Sequence, residues 1–99
     1  MINQSLSNIY KNKVVNLIKE IDAEKINQLA NLILKKKIKN KIYIFGNGGS
    51  SSTANHFAVD MTKNAKVNVD SFSNDDLITC FSNDYGYENW IANVLRYQA

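Results

Sequence analysis

His56 and Asp60 stand four residues apart, near the end of the stretch IYIFGNGGSSSTANHFAVD. On a helix that spacing puts an imidazole and a carboxylate on one stripe, together with Ser52. Such a pair can hold half of a zinc site, or supply an acid and a base for proton transfer. Two ligands do not make a metal site, so further donors have to come from elsewhere. The plain alternative is a solvated ion pair on a helix surface.

The turn ahead of this pair has chemistry of its own. Gly46-Asn47-Gly48-Gly49-Ser50 lies between an apolar run and a helical period. Glycines there allow positive φ and a close backbone approach. The next helix points free N–H groups and the positive end of its dipole at the turn, which favours an anion. Ser50, Ser51, Ser52 and Thr53 add hydroxyls suited to phosphate oxygens. A tight turn with a serine cap explains the glycines but not four hydroxyl residues in a row. A P-loop is excluded, because no lysine follows the glycines. A dinucleotide site is nearly matched by Gly46 and Gly48, with Asp70 near the spacing of a ribose-binding acid. Ser51, however, stands where that fingerprint needs its third glycine.

The elements that position these groups follow from periodicity. Leu6, Ile9, Tyr10, Val14, Leu17, Ile18 and Ile21 repeat at helical spacing. Asp22 is placed to cap a second helix, with Ile26, Leu29, Ala30, Ile33 and Ile38 as its stripe. Residues 42–45 form a short apolar run that ends at glycine, as a buried parallel strand would. Residues 51–64 turn helical, with Ala54, Phe57, Ala58, Met61 and Ala65 on one face and His56 and Asp60 away from it. Residues 67–72 read as a second strand, which makes a right-handed crossover if the two strands share a sheet. SNDDLITCF is favoured as a helix capped near Asn74, and a last helix starts near Tyr87. Asn83 and Asp84 precede a glycine turn, either as a helix cap or as a sugar-hydroxyl contact.

Composition bounds the rest. A chain of 99 residues, 44% hydrophobic and 21% charged, is one small globular domain. A single cysteine, Cys80, excludes an internal disulfide and fits a reducing compartment. No stretch resembles a signal peptide or a membrane span, so the expected location is cytoplasmic. Net charge is +3, with a basic patch from Lys35 to Lys41. No aromatic interleaves with those lysines, so a solvated helix end is preferred to a nucleic-acid surface.

FGNGGSSSTANHFAVD, followed after a gap by NDYGYE, resembles the sugar isomerase (SIS) domain family in its phosphoheptose isomerase branch. The resemblance runs over nearly all of the chain. It implies an α/β, parallel-sheet, flavodoxin-like αβα sandwich, incomplete here, preceded by two amphipathic helices. Residues 1–99 would be a single domain, with 1–40 as a helical oligomerisation segment and 41–99 as the start of the sandwich. The implied reaction converts sedoheptulose 7-phosphate to D-glycero-D-manno-heptose 7-phosphate through an enediol, for bacterial lipopolysaccharide or capsule. Asn47, Gly48 and Gly49 would line the substrate and Ser50 would donate to its phosphate. His56 would be a zinc ligand, Asp60 both ligand and base, and Asn83 and Asp84 substrate contacts. The family also implies a homotetramer with bundled leading helices. Two departures stand out. The usual catalytic carboxylate is a glutamate, and losing one methylene withdraws the group by about 1 Å, a displacement worth ~10²-fold in rate. The family's later serine-rich loop and its Gln/His helix have no counterpart before Ala99, so the expected state is a fragment that does not catalyse alone. A non-catalytic module that binds a sugar phosphate or a protein is the second reading, and a dinucleotide-binding domain the third.

Overall fold

The computed structural model describes residues 4–36 and 40–99. Lys37, Ile38 and Lys39, which belong to the expected second stripe and basic patch, lie outside the described residues. The chain divides into two compact units, residues 1–32 and 33–99.

The first unit is helical. Helix α1 spans Gln4–Lys19, and α2, Ala23–Lys36, begins here and runs on into the second unit. Asp22 caps α2 as its type and position require: its Oδ1 accepts the N–H groups of Glu24 (3.0 Å) and Lys25 (3.2 Å). Neither helix has a buried residue. Leu6, Ile9, Leu17, Ile18 and Leu29 are all more than half exposed.

The second unit is an α/β layer structure. Strand β1 (Ile42–Tyr43) leads through the glycine turn into α3 (Gly49–Lys63), and β2 (Val69–Asp70) returns parallel to β1. Ile42 pairs with Val69 and Tyr43 with Asp70. Helix α4 (Asp75–Tyr85), a 3₁₀ turn (Tyr87–Asn89) and α5 (Trp90–Gln98) complete it.

Alternation along residues 42–45 decides which helix covers which face. Ile42 and Ile44 pack with Ala58, Val67 and Val69, alongside Phe57 and Met61 of α3. Tyr43 and Phe45 pack on the opposite side with Phe72, Trp90 and Val94, alongside Leu77 and Phe81 of α4. A two-stranded parallel sheet is thus covered by helices on both faces, as expected of an incomplete αβα sandwich.

The strands are shorter than the apolar runs. Lys66 (φ 55°) and Phe72 (φ 45°) have left-handed backbone and bracket β2. Val67 donates its N–H to Met61 O at 3.1 Å, closing off α3 instead of extending the sheet. At the other end Asp70 Oδ1 accepts the N–H of Phe72 at 3.0 Å, turning the chain. The expected strand over 67–72 therefore narrows to Val69–Asp70, although Val67 and Phe72 still fill the core.

Candidate functional site

The glycine turn is shaped by two distinct demands. A Cβ on Gly46 would collide with the backbone carbonyl of Ser50, so the first helical turn of α3 sits directly against it. Gly48 precedes α3 with φ 57° and ψ −123°, a conformation open only to glycine. Gly49 meets nothing and has room for a side chain.

Part of the donor set is already spent on closing the turn. Ser50 N–H donates to Asn47 O at 3.0 Å, and Ser51 N–H to Gly48 O at 3.0 Å. The amides of Gly48 and Gly49 precede the first helical hydrogen bond and remain available to an anion. Thr53 Oγ1 donates to Gly49 O at 3.2 Å, so its proton serves the helix. Of the four hydroxyl residues, Thr53 thus has its proton engaged within the helix.

His56 and Asp60 lie on the outer stripe of α3, with Nε2 and Oδ2 3.4 Å apart. Their side chains are 79% and 56% exposed, and the buried face of the helix carries Ala54 and Ala58 instead. The pair lines an open hollow with Ser52, Thr53 and Phe57. Gly46 and Asn47 line a different hollow, walled by Phe45, Tyr87, Glu88 and Trp90. The His56–Asp60 pair and the start of the glycine turn thus line separate hollows. As metal donors, His56 and Asp60 supply two of the four groups zinc needs. Among the described residues no third His, Cys, Asp or Glu joins them.

Asn83 and Asp84 fall in the last turn of α4 and are exposed. Neither caps the next helix; Gly86, at φ 88°, ends α4 and donates its N–H to Ser82 O at 2.9 Å. Asn83 Nδ2 donates to Asp84 Oδ1 at 3.3 Å, and Cys80 Sγ approaches Asp84 Oδ2 at 3.8 Å. The contact from this segment to the glycine turn is made by a residue that motif reading passed over: Tyr87 OH donates to Asn47 Oδ1 at 2.8 Å. Only its place in the NDYGYE stretch hinted at a role.

Asp70, the candidate ribose acid, is otherwise engaged. Its Oδ2 pairs with Lys41 Nζ at 2.8 Å and its Oδ1 with Phe72 N–H. Each oxygen thus already has one partner within the fold.

The chain is 38% identical over 80 residues to a phosphoheptose isomerase of Helicobacter pylori, covering 74% of this chain and 42% of that protein. Phosphoheptose isomerases of Fusobacterium nucleatum (40% over 73 residues; 68% and 36%) and Aliarcobacter butzleri (34% over 82 residues; 77% and 42%) are similar to it as well. No family model matches the chain, and no solved structure does. The class that these relatives define is the isomerases of phosphorylated sugars. Within it, this chain belongs to the phosphoheptose isomerase family, and it spans about two fifths of the length of the relatives it matches.

Proposed function

We propose that the protein acts as a phosphoheptose isomerase, converting sedoheptulose 7-phosphate to D-glycero-D-manno-heptose 7-phosphate for bacterial heptose synthesis. The observation that carries this reading is the similarity to phosphoheptose isomerases over 74% of the chain. In this reading the Gly48 and Gly49 amides and the Ser50 hydroxyl bind the phosphate at the positive end of α3. Asp60, one turn beyond His56, takes the proton from one carbon of the C1–C2 pair and returns it to the other. An exposed carboxylate needs the substrate, or a further part of the protein, to exclude water around it. Asn83 and Asp84 contact sugar hydroxyls.

His56 and Asp60 fit as two zinc ligands, with the remaining donors coming from outside the described residues. When bound, zinc supplies electrostatic stabilisation of the oxyanion that develops beside the transferred proton. The exposed apolar residues of α1 and α2 belong in a homotetramer, where a helical bundle covers them. No described helix is long and apolar enough to cross a membrane, and we place the enzyme in the cytoplasm.

The test is turnover by the protein extended to the length of its relatives. Formation of the aldose from sedoheptulose 7-phosphate is the expected result. Binding of the ester without turnover would favour a non-catalytic sensing module instead.

A further inference from the structure

We propose that Tyr87 is a positioning residue for Asn47, fixing the Asn47 carboxamide so that its NH₂ end is the one offered to a sugar phosphate. This rests on the phosphoheptose reading of the turn and adds a residue to it. Tyr87 and Asn47 are 40 positions apart, and a 2.8 Å O–H···O contact joins them. The phenol donates, so it occupies the carboxamide oxygen and leaves Nδ2 as the free, donor-only end. A donor suits the oxygens of a phosphate or a polyol, whereas a freely turning amide would present an acceptor about as often.

The segment that carries Tyr87 is held from both sides. Asn89 N–H donates to Gly86 O at 3.0 Å, and Asn89 Nδ2 to Tyr85 O at 3.0 Å, which fixes the 3₁₀ turn on the end of α4. Trp90 follows at once and is 6% exposed, packed edge-on to Phe45 with ring centroids 5.7 Å apart. Phe45 immediately precedes Gly46, so the same aromatic contact sets both ends of the Tyr87–Asn47 bond. Tyr87 and Asn47 both line a hollow of about 360 Å³, together with Gly46 and Glu88. That volume falls at the lower end of the range for small-molecule sites.

The experiment uses the protein extended to the length of its relatives, with Tyr87→Phe, Asn47→Ala and the double variant. Affinity for sedoheptulose 7-phosphate is measured by calorimetry, and the Asn47 side-chain NH₂ is followed by ¹⁵N NMR without ligand. Tyr87→Phe removes one hydrogen bond and is expected to weaken binding about 3- to 10-fold. In the Asn47→Ala background the same change should alter affinity less than about twofold, since coupled residues share one effect. Without ligand, Tyr87→Phe should shift the Asn47 side-chain NH₂ resonances towards those of a freely exposed asparagine, because the carboxamide oxygen loses its donor. Unchanged signals, or equal losses of affinity in both backgrounds, would overturn the proposal. A wild type with ordered NH₂ signals and no affinity for the ester would overturn the sugar-phosphate reading while leaving Asn47 held by Tyr87.

Discussion

Lys41 Nζ lies 2.8 Å from Asp70 Oδ2, tying the residue ahead of β1 to the last residue of β2. The same ammonium sits 5.7 Å from the Tyr43 ring centroid and 5.6 Å from that of Phe72, within cation–π range. Those two rings stack with centroids 5.1 Å apart, so one cation locks the strand pair and the aromatic side of the core together.

This pair should make stability depend on pH at both extremes. The hydrogen bond from Lys41, and then the Phe72 N–H, hold the Asp70 carboxyl below its ordinary value. Its contribution is therefore complete above the unfolded value, near ~3.9, and fades as pH falls through the lower folded value. The hydrogen bond to Asp70 raises Lys41, whose contribution is complete below ~10.4 and fades as pH rises through the folded value. Both side chains are 36% exposed, and solvent screening limits the pair to about 0.5–1 kcal/mol. Asp70→Asn should cost that much at neutral pH and converge with wild type in strong acid. Urea denaturation across pH would show this; a gap that persists undiminished in strong acid would contradict it.

The glycines of the turn should differ sharply in tolerance. Gly46→Ala drives a methyl into the Ser50 carbonyl and should cost about 1–3 kcal/mol. Gly48→Ala meets no atoms but keeps a strained positive φ outside the left-handed helical region, costing about 1–3 kcal/mol. Gly49→Ala, in open space at the helix start, should be neutral or stabilising by up to about 1 kcal/mol. Thermal unfolding of the three variants ranks them, and equal losses would mean that the turn is not built as described.

Asp60 should carry the chemistry and not the affinity. In the protein extended to family length, Asp60→Asn keeps shape while removing charge and basicity. We expect kcat to fall by orders of magnitude with little change in phosphate binding, which the proposed reading assigns to the turn and the helix dipole. Asp60→Glu should preserve or raise the rate if the pocket suits the longer reach. Intact turnover in Asp60→Asn would remove it from the role of base.

The helical segment should associate. Ile18 and Leu29 are 60% and 56% exposed. Ile18→Lys together with Leu29→Lys should shift sedimentation towards smaller species while the far-ultraviolet helical signal stays. A wild type that sediments as a monomer at micromolar concentration would sink the oligomer.

Local rules carried much of this architecture. Ile42 and Ile44 alternate with Tyr43 and Phe45, and that alone assigns two opposite faces to β1. The spacing of Ala54, Phe57, Ala58 and Met61 gave the inner face of α3, and hence the outward position of His56 and Asp60. Strand length was not readable, because positive φ at Lys66 and Phe72 has no marker in residue type; neither is a glycine. The Tyr87–Asn47 bond escaped for another reason. It joins segments 40 residues apart and depends on how α5 docks, which no local period encodes. Thr53 looked like a free donor because its neighbours are serines, yet its hydroxyl reaches back one turn to Gly49.

Trp90 is the only tryptophan in the chain, and its indole forms part of the wall beside Asn47. The protein therefore carries a built-in optical probe at one place alone. Emission from this shielded ring should be blue relative to indole in water and should move red on unfolding. Anything that enters the hollow, or displaces Phe45 against the ring, should change its intensity without a label. Association through α1 and α2 has no tryptophan of its own to report it, so fluorescence and scattering would follow two separate events in one sample.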